Sequence, residues 1–292
     1  MTSNEAEPAP GTLLAGYRIE RLLGHGGMGA VYLARNAVGT EVALKVLDLG
    51  GSDEGQLRHA FEREVASSRR LDHPGIVRLF DTGQVGRLAF MAMEYIAGGE
   101  LGRYRHGHRP VPVRLAVDIV ARIARALAHA HAAGIVHRDI KPANILVDER
   151  AHQVKLADFG LARLSDLQRS RTGILAGTPA YMSPEQLAEG AQDARSDLYS
   201  VGVVLFELLT GRLPHEAPSL GALLRQVSQL APPPVHRLRP QTPPALSALV
   251  AQLLEKDKER RPPDAQTLAR ELEGVLSDLP AEPQPGAAPG AP

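Results

Sequence analysis

The sequence predicts an α+β chain of two lobes: a small β-rich N-terminal lobe with one main helix, then a larger, mainly α-helical C-terminal lobe. Three observations predict it. Short apolar segments with partial two-residue alternation crowd the first third of the chain. Helical spacing dominates beyond Gly98 and Gly99. The two regimes meet at one glycine-punctuated junction near residues 94–99, the kind of place where ligands bind.

Taken in order, residues 17–23 alternate in part, 30–34 follow a glycine cluster, and 41–47 form a third apolar run, so three strands are expected. Leu57, Phe61, Val65 and Ser68 then share one helical face. Two more strands are expected at 76–80 and 88–93. Leu115, Ile119, Ile123 and Leu127 recur every four residues in a long helix that ends at Gly134. Further helices are expected near 195–210, 219–230, 243–256 and 264–277, separated by Pro or Gly. The apolar run 198–209 is too short to span a bilayer and contains Glu207, so it reads as a core helix. Residues 1–12 and the Pro/Ala/Gly-rich residues 278–292 lack the apolar surface to offset ordering entropy and are expected as disordered tails. One domain over 13–277 is left between them, with a boundary between lobes at 96/97.

Composition excludes several function classes. The 292 residues are 43% hydrophobic and 23% charged, enough for a sizeable core. Lys+Arg and Asp+Glu both total 33, so the basic excess of a nucleic-acid binder is missing and no nucleic-acid partner is expected. The absence of cysteine removes disulfides, thiolate metal sites and cysteine nucleophiles together. No basic start leads into an apolar core at the N-terminus, and no membrane span is expected. A cytoplasmic location follows, with the cytosolic part of a longer membrane-anchored protein as the alternative.

Gly24, Gly26 and Gly29 stand in G-H-G-G-M-G, a G-x-G-x-x-G form that is weak by itself. A dinucleotide loop needs a helix after the motif, and here a strand follows, which favours a strand–loop–strand cover over phosphates. Lys45 lies in the apolar strand V-A-L-K, where an unpaired ammonium is costly; it either snorkels to solvent or needs a carboxylate. Glu64 is the better partner, because it shares a helix with Phe61 and Val65, and Glu62 is less consistent with the inward stripe. Asp139, Lys141 and Asn144 fall together in H-R-D-I-K-P-A-N, and Asp158 opens D-F-G. A lone Asp is an ordinary turn residue or cap. The set, by contrast, supplies the oxygen metal ligands, the base and the cations that phosphoryl transfer requires.

In the order G-H-G-G-M-G-A-V, V-A-L-K, H-R-D-I-K-P-A-N, D-F-G and G-T-P-A-Y-M-S-P-E-Q, the chain resembles the eukaryotic-like (Hanks-type) serine/threonine protein kinases, bacterial type. The resemblance covers roughly residues 13–277. It implies the bilobal protein kinase fold, ATP as phosphoryl donor, and Mg²⁺, with Mn²⁺ as an alternative metal. It places Leu23, Gly24, His25, Gly26, Gly27, Met28, Gly29, Val31, Ala43, Lys45, Met93, Glu94, Ile96 and Leu146 around ATP, with Lys45 on the phosphates and paired to Glu64, and Met93 as gatekeeper. Asp139 then handles the proton of the acceptor hydroxyl, Lys141 steadies the γ-phosphate, and Asn144 and Asp158 bind the metal. Lys141 in D-x-K and Thr178 in G-T-P-A-Y imply Ser/Thr rather than Tyr acceptors.

The same resemblance pairs Glu185 with Arg261, assigns Asp197 to bracing the catalytic loop, puts His137 and Phe159 in a hydrophobic spine, and makes Ser183 a mild departure from the usual Ala. Protein substrates are implied, together with trans-autophosphorylation at Thr172 and Ser170 and self-association through the small lobe. Competing readings are a pseudokinase scaffold, which would have lost a catalytic residue, and a small-molecule phosphotransferase, which would lack the S-P-E segment.

Overall fold

The computed structural model describes residues 8–26, 29–50, 54–104, 110–159 and 179–280. An antiparallel sheet in the order β1-β2-β3-β4-β6-β5 opens the chain, with β1 at Leu13–Leu14, β2 at Tyr17–Gly26, β3 at Gly29–Arg35, β4 at Glu41–Asp48, β5 at Leu79–Val85 and β6 at Leu88–Glu94. Between β4 and β5 runs helix α1, Glu54–Ser68. Gly11 N–H donates to Ile19 O at 2.7 Å, and Ile19 N–H to Thr12 O at 2.9 Å. Gly11 and Thr12, which fall in the expected tail, are therefore hydrogen-bonded to Ile19 of β2 just before β1.

Alternation along the strands gives the sheet two different faces. Tyr32, Ala34, Val42, Leu44, Val46, Phe90 and Ala92 pack on one side with Ile19 and Leu14. On the other, Leu47 and Met91 meet Leu57, Phe61 and Val65 of α1. Cross-strand register puts Val31 opposite Lys45 and Lys45 opposite Met91, and Ala43 opposite Met93, so all of these share the α1 face.

The expected strand at 76–80 is displaced. Ile76 forms a single parallel bridge with Leu156, and Val77 N–H donates to Leu156 O at 2.8 Å, so these apolar residues serve the second lobe. The strand itself, L-F-D-T-G-Q-V, is an edge strand held by pairing to β6 and not by its own hydrophobicity.

A second, three-stranded sheet comprises β7 (Gly99–Glu100), β8 (Ile145–Asp148) and β9 (Gln153–Leu156), with a long helix between β7 and β8, and the described elements after β9 are helical. The helices are α2 Val113–Ala132, α3 Pro184–Leu187, α4 Ala194–Thr210, α5 Leu220–Gln229, α6 Val235–Leu238, α7 Pro244–Leu253 and α8 Ala265–Asp278. α2 packs on α8 and α4 around one large core. Its buried face is wider than the predicted stripe, and Leu115 is 44% exposed, because a four-residue repeat drifts around a helix of 3.6 residues per turn. α4 is buried on almost every side, begins at an Asp193 cap and ends at Gly211 in the left-handed region (φ 73°). Asp278, expected in the tail, closes α8. Among the described residues, no helix is long and apolar enough to cross a membrane.

Gly98 holds the junction between lobes close. A Cβ there would lie 1.8 Å from Val147 O on β8. Gly98→Ala should therefore destabilise by about 3 kcal/mol, the upper end of overpacking costs. A urea unfolding midpoint checks this; an unchanged midpoint would mean that β8 moves aside freely.

Candidate functional site

The loop between α2 and β8 carries most of the polar chemistry, and one buried carboxylate shapes it. Asp197, on the first turn of α4 and 1% exposed, accepts His137 N–H at 2.8 Å on Oδ2 and Arg138 N–H at 2.7 Å on Oδ1. His131 Nε2 also reaches Oδ2 at 2.8 Å. Arg138 sits at φ 68°, a strained setting for a non-glycine residue that these bonds help hold. His137 Nδ1 accepts Asp139 N–H at 3.2 Å, so its proton is on Nε2, which donates to Ala157 O at 2.9 Å. Its ring packs on Phe159 with centroids 4.6 Å apart. Asp197 thus takes the expected bracing place, and His137 and Phe159, expected in a hydrophobic spine, are in ring contact.

Asp139 Oδ2 then receives Lys141 Nζ at 2.8 Å and Asn144 Nδ2 at 3.0 Å. Asn144 Nδ2 also donates to Asp139 O at 2.7 Å, which fixes the amide so that its Oδ1 is the free acceptor. Asp158, at φ 63°, turns its carboxylate to Lys45, with Nζ 2.8 Å from Oδ1.

The pair expected between Lys45 and Glu64 is therefore not the one formed. Glu64 is 3% exposed, its Oε2 has no hydrogen-bond partner among the described residues, and it lines a small cavity with Asp158, Phe159, Met91 and Met93. Burial raises its pKa to about 8; Lys45 opposes that rise and Asp158 adds to it. Asp158 retains 29% exposure of its side chain, so its charge is cheaper to keep, and the ammonium pairs with the ionised acid.

Leu23, Val31, Ala43, Met93 and Leu146 are all partly exposed, and Ile96 is 8% exposed with no partner for its N–H among the described residues. Glu94 N–H, by contrast, is engaged by Arg78 O at 2.8 Å. Gly24, His25, Gly26 and Gly29 form the ends of the β2–β3 hairpin; Gly27 and Met28 lie outside the described residues. So do Ser170, Thr172 and Thr178. Beside Lys141 a groove of about 440 Å³ opens, lined among others by Glu100, Pro142, Tyr181, Glu207 and Glu216.

Several contacts escaped the sequence reading. Lys155 Nζ bonds the Glu94 carboxylate at 2.7 Å, tying β9 to the interlobe junction. A lysine in an apolar strand, the signal that marks Lys45, recurs there in V-K-L-A. Gln186 Nε2 donates to Arg138 O at 2.8 Å, and Tyr181 OH to Glu207 at 2.6 Å. Ser183, far from a mild variant, is fully buried and forms a capping box with Gln186 that starts α3.

The expected Glu185–Arg261 pair is present and bidentate, at 2.7 and 2.8 Å, with Arg261 2% exposed. Although burial opposes it, hydrogen bonds from Arg261 and Ser196 hold the Glu185 pKa down to about 2.

Asn144 Oδ1 and the Asp158 carboxylate are hard oxygen donors. Among the described residues no group of three His, Cys, Asp or Glu could hold a metal. Two protein oxygens completed by phosphate and water suit Mg²⁺, which keeps several non-protein ligands.

Comparison with known proteins agrees with this geometry. The family model described as the protein kinase domain matches residues 17–272. The chain is 40% identical over 278 residues to serine/threonine-protein kinase pkn3 of Myxococcus xanthus, covering 90% of this chain and 50% of that protein. It is 36% identical over 258 residues to PrkC of Bacillus subtilis, covering 88% and 40%. The crystal structure of the Mycobacterium tuberculosis PknI kinase domain superposes with a TM-score of 0.72 at 28% identity, over 91% of this chain and 98% of that one. The chain spans about half the length, or less, of these curated relatives.

Glu185→Ala leaves Arg261 buried without its counter-charge and should cost about 3–5 kcal/mol at neutral pH. Because the folded pKa lies below the ordinary 4.5, the pair's contribution is fully present above about pH 4.5 and fades as pH falls toward 2. Unfolding midpoints of both proteins across that range check it: the gap should narrow with acid, and a pH-independent gap would reject the linkage.

Proposed function

The chain belongs to the protein kinase domain family, among its bacterial serine/threonine members, and from that premise we propose that it transfers the γ-phosphate of ATP to serine and threonine hydroxyls of proteins. The proposal is supported by two polar clusters, Lys45 with Asp158 and Asp139 with Lys141 and Asn144, linked where Ala157, next to Asp158 in the chain, donates its N–H to Asn144 O at 2.9 Å.

In this reading the β2–β3 hairpin lies over the phosphates, the adenine sits among Leu23, Val31, Ala43, Met93 and Leu146, and Ile96 N–H and Glu94 O take its edge. Lys45 leaves Asp158 for the α- and β-phosphates, and Glu64, once ionised beside the ammonium, becomes its partner. Asn144 and Asp158 hold the divalent cation, Mg²⁺ or Mn²⁺, which neutralises phosphate charge when bound. Asp139 orients the acceptor hydroxyl and takes its proton as the oxygen bonds to the γ-phosphorus and ADP departs. Lys141, fixed on Asp139 Oδ2, stands where the transferring phosphate carries its negative charge. The groove beside Lys141 is where the protein substrate's chain would lie.

Activation by trans-autophosphorylation between two copies, at Thr172 and Ser170, belongs to the same proposal. Its support is Arg138, next to the catalytic acid, whose buried Nε has no hydrogen-bond partner among the described residues. A phosphate would supply one. The work is assigned to the cytoplasm, either as a free kinase or as the cytosolic part of a longer chain. A pseudokinase scaffold is disfavoured because Lys45, Asp139, Asn144 and Asp158 are all present.

Labelled γ-phosphate should pass from ATP to a generic protein substrate only with Mg²⁺ or Mn²⁺. Transfer should fall by about 10²-fold or more in Asp139→Asn, and likewise in Lys45→Met. Unchanged transfer in both variants would reject the assignment. Phosphosite mapping should find Thr172 and Ser170 modified in the active protein and bare in Asp139→Asn; equal modification would point to another kinase.

A further inference from the structure

The chain contains five lysines, and four of them end on a carboxylate: Lys45 on Asp158 at 2.8 Å, Lys141 on Asp139 at 2.8 Å, Lys155 on Glu94 at 2.7 Å and Lys258 on Asp193 at 2.8 Å. Lys256 differs. Among the described residues it has no ion pair, and its Nζ meets His215 Nε2 at 3.1 Å. The same Nζ stands 5.7 Å from the ring centroid of Tyr199, and Arg261 stands 5.0 Å from that centroid. Lys256 itself is partly exposed, whereas His215 is 7% exposed and Tyr199 fully buried.

We propose that Lys256 is a nucleophilic lysine, a site of acylation by an acyl phosphate, with His215 Nε2 receiving the proton that the amine releases. The geometry supports it in two ways. An ammonium and an imidazolium cannot share one hydrogen bond, so at least one partner of the Lys256–His215 pair is neutral and the pair carries one positive charge at most. The nitrogen is also held in place beside an acceptor, on a residue that stays partly exposed.

Charges around it act in the same direction. Burial, followed by Arg261, lowers the Lys256 pKa to about 8, against a smaller opposing effect of Glu255; burial and Lys256 lower that of His215 to about 4. Glu185, the carboxylate that acts on the Tyr199 hydroxyl, is taken up by Arg261 and Ser196. About a tenth of Lys256 is then free amine at pH 7, against well under a thousandth for an ordinary lysine. Desolvated lysines of this kind are the ones that act as nucleophiles.

The step is balanced. The Nζ lone pair attacks the acyl carbon, the carbon–oxygen bond to phosphate breaks, inorganic phosphate leaves with that electron pair, and one Nζ proton passes to His215 and on to water. The resulting amide has no charge to place over Tyr199. Because Arg261 Nη2 also bonds Lys256 O at 3.3 Å, the change falls beside the Glu185–Arg261 tether.

Acetyl phosphate added to the full chain, with peptide mass spectrometry to locate acetyl groups, tests the proposal without using kinase activity. Lys258, two residues away and paired with Asp193, is the internal control. Lys256 should be acetylated at least about ten-fold faster than Lys258 at pH 7.5, with a rate midpoint near pH 8, and the difference should vanish in 8 M urea (roughly fully denaturing). Equal rates in the folded chain, a midpoint above about pH 10, or a difference that persists in urea would each overturn it.

Discussion

Placing a carboxylate such as Asp197 in the interior of the large lobe is costly unless every acceptor site is used. Here it is used by the main-chain N–H groups of two successive residues, His137 and Arg138, and by His131. Hydrogen bonds to a charged group are each worth about 1.5–3 kcal/mol. That is enough to hold Arg138 in the left-handed region, and the chain direction leaving Arg138 decides where Asp139, Lys141 and Asn144 point. The carboxylate is itself positioned by α4, the most completely buried helix, so the reactive loop inherits its placement from the core.

Communication between the lobes passes through a few polar contacts and one main-chain bridge. Lys45 reaches Asp158, Lys155 reaches Glu94, and Ile76 and Val77 bond Leu156. Two carboxylates compete for Lys45, and degree of burial decides the winner. Glu64 in its cavity is easier to protonate than to ionise, whereas Asp158 keeps contact with water. Anything that changes the charge near Lys45, such as a polyphosphate, alters that balance and with it the standing of α1.

At the far side of the reactive loop, Gln186 bonds Arg138 O while Ser183 caps the short helix that carries Gln186 and Glu185. Glu185 continues to Arg261, and Arg261 lies against Tyr199, which Lys256 also faces. A continuous set of contacts therefore runs from the reactive loop to the segment before α8. Each contact satisfies a group that would otherwise be buried unpaired, which explains why short elements such as α3 hold a fixed place without much apolar surface of their own.

The amino-acid sequence by itself determined the two-lobe division, the six longer helices, strands β2, β3, β4 and β6, and the residue types that carry the polar chemistry. Those features arise from short-range causes: periodicity, caps, glycine and proline, and residue types at fixed local spacing. It misplaced β5, because that strand takes its register from β6, and it did not foresee that Gly11 and Thr12 bond Ile19 of β2 or that Asp278 closes α8. Beyond the Glu185–Arg261 pair and the Asp197 brace, it was the tertiary structure that decided which charged groups meet. Lys45 chose Asp158 over Glu64, Lys155 found Glu94, and Lys256 was left with His215, each across dozens of residues or more. Such choices depend on how much water each group retains after packing, a property of the assembled fold that no local stretch of sequence contains.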